Sequence, residues 1–378
     1  NGEIYNYIEL RNNLKKKNYN FKTNSDTEVL LKAYQEYGEK CVDYFIGMWA
    51  FAIWDLKKKK LFLSRDPFGE KPLYYFYNDK GFFFGSEIKF IRSLCKIEFK
   101  KNKKHLYKNL FLGYKSLNKS NETFYSDIFS LESSTNLKID LNINITKQKY
   151  WEPKLNIKKN MTANEASDGV RQHLINSLKL RMRSDVPIAF CLSGGIDSSL
   201  LASHAKKTLG KNISTFSIID EDDRYNESEN INIVADDLKI KPNLIQLNND
   251  YDHFFDRLKK LTNYHDGPIA TLSYYIHSFL SEYISKQKYK VAISGTGADE
   301  LFTGYYDHYL LHFQTIQNTE YFKPSIENWK THVLPNIRNQ YLKDPFLYIN
   351  DQNNRDLVYE NNFNLFKYSQ IKKKEEFK

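Results

Sequence analysis

The stretch of the chain best suited to chemistry is a run of small and polar residues, Leu192-Ser193-Gly194-Gly195-Ile196-Asp197-Ser198-Ser199. Glycines let backbone amides approach an anion closely, hydroxyls add donors, and a helix start adds the positive end of its dipole. The run therefore predicts a loop that binds the pyrophosphate of a nucleotide, although it lacks the lysine and the spacing of the commoner phosphate loops. A carboxylate at Asp197 indicates a divalent cation between itself and the phosphates. The alternative is a plain turn in which Asp197 and Ser198 only cap a helix.

A second run of this kind occurs later in the chain, Ser294-Gly295-Thr296-Gly297-Ala298-Asp299-Glu300. It too follows an apolar segment and opens a predicted helix. If the two preceding strands are neighbours in one sheet, Asp197 and Asp299 meet at one Mg²⁺. Such a site suits nucleophilic attack at the α-phosphorus of ATP, with magnesium pyrophosphate as the leaving group.

The elements that must position these loops alternate between strand and helix. Strands are predicted over residues 186–192, 214–218, 243–247 and 290–294. Helices are predicted over 164–181, from 198 onward, and over 227–238, 252–261 and 273–286. This alternation predicts an α/β domain with a parallel sheet wound with helices on both faces. Ligands are expected at the carboxyl ends of its strands.

The preceding part of the chain has a different pattern. Helices are predicted over 6–16 and 27–37, and strands over 47–54, 60–64, 73–78 and 81–86. Turn residues separate the strands, which indicates an antiparallel sheet with helices, an α+β domain. Residues 100–149 are rich in Lys, Asn and Ser and are interpreted as a connecting segment.

The composition excludes several classes of protein. With 378 residues, 41% of them hydrophobic and 27% charged, the chain has the makeup of two or three globular domains rather than of a disordered or coiled-coil protein. The net charge of +10 is spread along the chain, so neither a nucleic acid nor a membrane is expected as a partner. The cysteines, Cys41, Cys95 and Cys191, lack metal-ligand spacing, and this fits a reducing, cytoplasmic location.

The two small-residue runs together resemble the ATP-pyrophosphatase domain of glutamine-hydrolysing asparagine synthetases. Five earlier segments resemble successive motifs of that family's class II glutaminase domain. They are Asn1-Gly2-Glu3-Ile4-Tyr5-Asn6, Ser25-Asp26-Thr27-Glu28, Phe45-Ile46-Gly47-Met48-Trp49-Ala50-Phe51-Ala52, Arg65-Asp66-Pro67-Phe68-Gly69-Glu70-Lys71-Pro72-Leu73-Tyr74 and Ser86-Glu87-Ile88-Lys89.

The resemblance implies a domain arrangement. It consists of a glutaminase domain of the N-terminal nucleophile fold over 1–99, a connecting segment over 100–149, and an ATP-pyrophosphatase domain of the adenine nucleotide α-hydrolase type over 150–378. The family's nucleophilic N-terminal Cys is absent from this chain. We therefore expect a segment cut from a longer protein, truncated at both ends.

The resemblance also implies roles for individual residues. In the first domain, Asn1 and Gly2 would form the oxyanion hole, and Asn1, Gly2, Glu3 and Asp26 would bind glutamine. In the second, ATP would contact the residues of both loops and of the strand between them, namely Leu192, Ser193, Gly194, Gly195, Asp197, Ser198, Ile218, Ser294 and Gly295. Asp197 and Asp299 would hold Mg²⁺, and Thr296 would occupy the position beside the adenylate.

The activity implied is the adenylation of a carboxylate by ATP, followed by attack of glutamine-derived ammonia that travels through a tunnel walled partly by residues 65–73. Aspartate is the expected acceptor, which would give asparagine, and a homodimer is compatible with the family. The family usually has Glu at the place of Thr296, and a Thr hydroxyl does not take up a proton at neutral pH. Another carboxylate acceptor, such as a sugar acid of a surface polysaccharide, and a degenerate nucleotide-binding module therefore remain as alternatives.

Overall fold

The computed structural model describes residues 1–113, 117, 120–157, 160–222, 226–247, 253–351 and 354. None of the described helices combines the length and the apolar character needed to span a bilayer.

The described residues of the first half form two antiparallel sheets, four α-helices and a 3-10 helix over Gly38–Tyr44. Its strands are β1 (Gly2–Ile4), β2 (Gly47–Asp55), β3 (Lys60–Arg65), β4 (Tyr74–Asn78), β5 (Gly81–Gly85), β6 (Phe129–Ser130), β7 (Thr135–Ile139) and β8 (Ile145–Lys149). Its helices are α1 (Tyr7–Lys16), α2 (Asp26–Tyr37), α3 (Ile88–Cys95) and α4 (Lys103–Leu112). One sheet has the order β1-β2-β3-β7-β8 and the other β5-β4-β6.

Packing of α1 and α2 against the larger sheet forms the main core of this half. Leu14 and Val29 are fully buried there with Trp49 of β2. Ser25 caps α2, since its side chain accepts a hydrogen bond from the amide of Thr27. The predicted α+β layer is therefore present, with element bounds within about two residues of those expected from the sequence.

The segment predicted as a connection over 100–149 has a different place in the fold. Its strands β7 and β8 extend the larger sheet, with Leu63 of β3 opposite Leu137 of β7. Leu137 is fully buried and Ile139 nearly so, because they complete the core beneath the sheet. Apolar residues that are sparse in the sequence are here concentrated on one face, and strands β7 and β8 belong structurally to the first half.

The second half contains a parallel sheet. Its strands are β9 (Ile188–Cys191), β10 (Ser214–Ile219), β11 (Asn243–Gln246) and β12 (Val291–Ile293). Its helices are α5 (Ala163–Arg181), α6 (Ile196–Ser203), α7 (Ser228–Leu238), α8 (Phe254–Tyr264), α9 (Leu272–Lys286), α10 (Ala298–Phe302), α11 (Tyr306–Ile316), α12 (Phe322–His332) and α13 (Leu347–Asn350). The strand order is β11-β10-β9-β12, and every pair is parallel, which confirms the predicted parallel sheet.

The order of these strands creates a switch point. The chain moves outward in one direction from β9 to β10 and β11, and then returns to the other side of β9 at β12. At such a point the loops that follow two adjacent strands diverge and leave a crevice at the carboxyl edge of the sheet. Here the two strands are β9 and β12, and the loops that follow them are the two runs of small residues.

Candidate functional site

The two loops of small residues meet at the edge of the parallel sheet. Strand β12 pairs with β9, with Ile188 opposite Val291. Gly295 then lies directly against the start of α6: a Cβ atom on Gly295 would lie 2.8 Å from the Cβ of Asp197 and 3.0 Å from the amide nitrogen of Ser198. Only glycine permits this approach, and the two runs form one site.

The first loop is held by its own hydroxyl groups. Ser198 is buried, and its Oγ accepts a hydrogen bond from the amide of Ser193 at 3.1 Å and lies 3.0 Å from the Oγ of Ser193. Gly194 has a φ of +74°, and a Cβ atom there would lie 2.6 Å from the Cβ of Asn230 on α7. The loop is thus shaped by glycine at Gly194 and by the hydroxyl of Ser198, and it ends at the amino terminus of α6.

A cavity of about 1270 Å³ opens beside these loops. Nine residues that the sequence predicted for the nucleotide and adenylate positions line it together: Leu192, Ser193, Gly195, Asp197, Ser198, Ile218, Ser294, Gly295 and Thr296. Gly194 lies behind the loop, against Asn230. The predicted set is therefore assembled in space, apart from Gly194 and Asp299.

The two predicted metal ligands have different environments. Asp197 is exposed on the cavity wall and has no hydrogen-bond partner among the described residues. The carboxylate of Asp299 instead lies against Gly304, and Asp299 does not line the cavity. Within the described ranges, no three His, Cys, Asp or Glu side chains are grouped closely enough to hold a metal ion. Asp197 is thus the carboxylate placed to meet a ligand in the cavity.

Thr296 lies on the wall of the same cavity. Its Oγ1 accepts a hydrogen bond from the hydroxyl of Ser294 at 3.1 Å, and its amide lies 3.4 Å from the Oγ of Ser294. These hydrogen bonds of the Ser294 hydroxyl hold a small turn at the end of β12. At Thr296 the cavity wall therefore presents a neutral hydroxyl.

Sequence reasoning missed several residues of the cavity. Ser217 of β10 is almost fully buried, and its Oγ has no hydrogen-bond partner among the described residues. Asp220 follows the end of β10 and also lines the cavity, as does His277 on α9. The available signal was Ser217 itself, a polar residue in an apolar strand just before Ile218. A helix such as α9 carries no comparable signal, because its position over the sheet is set by tertiary packing.

The predicted glutamine-binding residues gather around β1. The amide of Ala50 donates to the carbonyl of Asn1 at 2.8 Å, and the side-chain amide of Asn1 donates to the Oγ of Ser86 at 3.2 Å. Asp26, at the start of α2, accepts a hydrogen bond from the amide of Ile4 at 3.0 Å. Burial, with the negative charge of Asp26 as a smaller cause, raises the pKa of Glu3. Asn1, Gly2, Glu3 and Asp26 therefore lie in one region, on two elements.

A buried carboxylate organises the loop between β3 and β4. Asp66 is fully buried, and its two oxygens accept hydrogen bonds from backbone amides of Trp49, Phe68, Glu70 and Lys71. The guanidinium of Arg65 donates to the carbonyl oxygens of Gly69 at 2.8 Å and Lys71 at 2.7 Å. A carboxylate and a guanidinium that satisfy this many backbone groups fix the loop over residues 65–73.

This loop faces the second half of the chain. The rings of Phe68 and Trp151 are 5.3 Å apart. Burial raises the pKa of Glu70, while the positive charge of Arg181 on α5 opposes that increase. The guanidinium of Arg181 also lies 5.4 Å from the ring centre of Tyr5. The region around β1 and this loop therefore lie beside the end of α5, the helix that precedes the parallel sheet.

Comparison with known proteins gives matches over both halves. A family model described as a glutamine amidotransferase domain matches residues 1–151, and one described as asparagine synthase matches residues 169–368. The first match extends beyond residue 99, over the strands β7 and β8 that residues 135–149 add to the larger sheet.

Individual relatives cover most of this chain. Asparagine synthetase [glutamine-hydrolyzing] 1 of Bacillus subtilis (strain 168) is 36% identical over 308 residues, which are 81% of this chain and 47% of that protein. Asparagine synthetase [glutamine-hydrolyzing] 2 of the same organism is 34% identical over 81% of this chain and 42% of its own length. Amidase chry2 of Gibberella zeae is 28% identical over 81% of this chain and 46% of its own length.

The chain spans about half the length of these relatives. Among solved structures, an NH3-dependent NAD synthetase from Campylobacter jejuni aligns with 56% of this chain at 17% identity and a TM-score of 0.28, too low to inform the fold. The two family models match in the order that the sequence motifs predicted, and the second covers more than half of the chain. The chain therefore belongs to the asparagine synthetase family of glutamine-dependent amidotransferases.

Proposed function

We propose that the protein containing this chain uses ATP to activate a carboxylate and then aminates it with ammonia taken from glutamine. One observation carries the proposal: the loops after β9 and β12 meet at the switch point of the parallel sheet, where Gly295 packs against Asp197 beside a cavity of about 1270 Å³. This volume accommodates a nucleotide together with a second small substrate.

The nucleotide is proposed to bind with its phosphates at the loop from Ser193 to Ser198. Backbone amides at the start of α6 have no partner within the helix and are free to donate to phosphate oxygens. The adenosine part lies over the carboxyl end of β10, near Ile218 and the hydroxyl of Ser217, which lacks a hydrogen-bond partner in the described part of the chain. ATP is held in this way with its α-phosphorus toward the loop after β12.

Mg²⁺ is proposed to bind with the nucleotide. Magnesium commonly takes only one or two protein carboxylates and completes its shell with phosphate oxygens and water, so a cluster of three protein ligands is not required. Asp197, exposed and without a partner among the described residues, fits this role. The cation would neutralise charge that develops on the pyrophosphate as it leaves. Asp299 would need to turn away from Gly304 to join it.

Aspartate is the first acceptor to be considered, since the Bacillus subtilis relatives are named asparagine synthetases. A specific observation favours a second candidate, another carboxylate. Thr296 places a hydrogen-bonded hydroxyl on the cavity wall where the family usually has a proton-accepting carboxylate. An acceptor whose adenylation needs no such group would suit this cavity equally well.

Glutamine is proposed to bind near β1, where Glu3 and Asp26 lie together and can take its α-ammonium group. The loop over residues 65–73 lies between this region and the second half, and it is fixed by Asp66 and Arg65. Ammonia released in the first half would pass along this loop. A rigid wall here would limit loss of ammonia to water.

The test is a direct assay of the purified protein with ATP, Mg²⁺ and glutamine over a panel of carboxylic acids that includes aspartate and sugar acids. We expect AMP and pyrophosphate to be released in equal amounts with one acceptor and not without it. Replacing glutamine by an ammonium salt should support the same release. If no acceptor gives AMP and pyrophosphate from either nitrogen source, the proposed ligase activity is wrong, and a nucleotide-binding role without chemistry takes its place.

A further inference from the structure

A second cavity lies between the two halves, away from both candidate substrate sites. Its volume is about 410 Å³, within the range of small-molecule pockets. The first half contributes α3, the start of α4 and the strand-like residues 124–125. The second half contributes the end of α8 and the turn that follows it. Among the residues that line the cavity are Lys89, Arg92, Lys101, Tyr125, Asp266 and Gly267.

The charges around this cavity are mostly positive. Three cations, Lys89, Arg92 and Lys101, line it together with one carboxylate, Asp266. Lys89 has its own partners, since its Nζ lies 2.5 Å from Glu87 and 2.9 Å from the carbonyl oxygen of Tyr264. Asp266 is engaged by the backbone amide of Lys89 at 3.2 Å.

The other two cations share a single neutral neighbour. The Nζ of Lys101 lies 3.8 Å from the ring centre of Tyr125, and the guanidinium of Arg92 lies 5.2 Å from the same ring. Arg92 also lies 3.3 Å from the Tyr125 hydroxyl, through Nη1. Neither cation forms an ion pair with any described residue, and the Nε of Arg92 is buried without a hydrogen-bond partner in the described part of the chain.

The buried Nε of Arg92, without a partner among the described residues, is unfavourable. An anion between Arg92 and Lys101 would accept a hydrogen bond from it and offset the repulsion between the two positive charges. Arg and Lys together suit an oxyanion, because the guanidinium offers a planar fork and the ammonium a compact charge. The walls are close-packed: a Cβ atom on Gly267 would lie 2.5 Å from the Phe124 ring. The cavity is therefore a defined space between the halves and not a loose gap.

We propose that this cavity binds a small anionic metabolite through a phosphate or carboxylate group held by Arg92 and Lys101. The bound anion would lie between α3 of the first half and the turn at Asp266–Pro268 in the second. That turn lies four residues before Leu272, the start of α9, and Leu272 lines the large cavity. The anion would therefore bind beside the segment that leads into the wall of the large cavity, without contacting either substrate site.

The test measures binding of inorganic phosphate and, separately, of succinate to the protein by isothermal titration calorimetry at low ionic strength, because salt screens such contacts. We expect at least one of the two to bind, and the tighter one identifies the group that the site prefers. Lys101→Gln and Arg92→Gln should each weaken that binding by about tenfold, as loss of one charged contact predicts. Lys101 is exposed, so its variant is expected to fold normally.

Lys58→Gln is the matched control, since Lys58 also lies over a tyrosine ring, 5.9 Å from Tyr34, but far from the cavity in sequence and on the hairpin of β2 and β3. It should leave anion binding unchanged. An anion that binds with equal affinity to the parent protein and to both cavity variants is held elsewhere, for example at the loop from Ser193 to Ser198. That outcome, or absence of binding by both anions, overturns the proposal, and neither depends on whether the ligase assay succeeds.

Discussion

Arg183 and Glu9 are joined by two charged contacts across the two halves of the chain. The two terminal nitrogens of Arg183, Nη1 and Nη2, each lie 2.6 Å from a carboxylate oxygen of Glu9, and Nη1 also donates to the carbonyl oxygen of Tyr5 at 2.8 Å. Tyr5 follows β1, and Arg183 precedes β9, which leads into the loop at Ser193. This fork therefore connects the candidate glutamine region with the candidate nucleotide site.

Removing this connection should loosen the two halves. Arg183→Met and Glu9→Gln are each expected to lower the free energy of unfolding by about 1 kcal/mol, because the pair is bidentate but partly exposed. The double variant should cost little more than either single change. Denaturant unfolding of the parent protein, the two single variants and the double variant gives the coupling energy between Arg183 and Glu9. Asp237→Asn, which breaks a pair of the same length with Lys207 inside the second half, is the control for interdomain effects. A coupling energy near zero would contradict a role for the fork.

Asp197→Asn should abolish nucleotide chemistry and leave the fold intact. Asp197 is exposed at the cavity and has no hydrogen-bond partner among the described residues, so its loss removes the proposed metal ligand and no structural contact. We expect pyrophosphate release to fall by about 10²-fold or more, with an unchanged thermal midpoint. Asp299→Asn should reduce release less, since the Asp299 carboxylate lies against Gly304. Equal activity of Asp197→Asn and the parent protein would exclude Asp197 from the site.

Gly295→Ala should separate the two loops. The added methyl group would lie 2.8 Å from the Cβ of Asp197, so backbone on one side must move, at a cost of about 1–3 kcal/mol. Nucleotide binding should weaken in parallel. Gly169→Ala in α5 is the matched control: nothing lies within 4 Å of the new atom, and alanine in a helix is expected to stabilise by about 0.5–1 kcal/mol. Calorimetric unfolding and titration with ATP measure both effects.

Thr296→Glu tests what determines the acceptor. The change restores the carboxylate usual in the family, but the rest of the cavity wall, including His277 and Leu272, stays as it is. We therefore expect no aspartate-dependent release of AMP from this variant alone. The measurement is the amount of AMP and of asparagine that the variant forms from ATP, aspartate and ammonium. A strong gain of asparagine formation would mean that Thr296 is the one residue that separates this site from an aspartate-specific one.

Glu282 should make the contact between α8 and α9 sensitive to acid. Hydrogen bonds from Arg257 and Lys286, at 2.6 and 2.9 Å, lower the pKa of Glu282 from 4.5 to about 2. Because the pKa of Glu282 is lower in the folded state, its ionised carboxylate stabilises the fold. This stabilisation is complete above the unfolded pKa of 4.5 and is lost as the pH falls from 4.5 toward about 2. Glu282→Gln should therefore be less stable than the parent protein near neutral pH, with the difference shrinking below about pH 4.5. If the difference in stability between Glu282→Gln and the parent protein did not change with pH, the ionised carboxylate of Glu282 would not be its cause.

Much of the local structure was determined by the sequence itself. Apolar runs separated by turn residues located β2 to β5, and glycine runs after apolar strands located the loops at Ser193 and Ser294. Such features depend on neighbours within a few residues, because side-chain periodicity, turn residues and caps act over one or two turns of chain. The same short range explains why the loop residues from Ser193 to Ser198 could be assigned to phosphate binding before any fold was known.

Only the tertiary structure decided how distant segments pair. Leu137 completes the sheet beside Leu63, although its surrounding segment has the composition of a connection. Asp299 shares a loop type with Asp197, yet its carboxylate lies against Gly304, because the direction of a side chain depends on packing around it. The cavity at Arg92 and Lys101 exists only where α3 meets the turn at Gly267. Strand register, side-chain direction and cavities between halves all depend on contacts between residues far apart in the chain, and no local pattern encodes them.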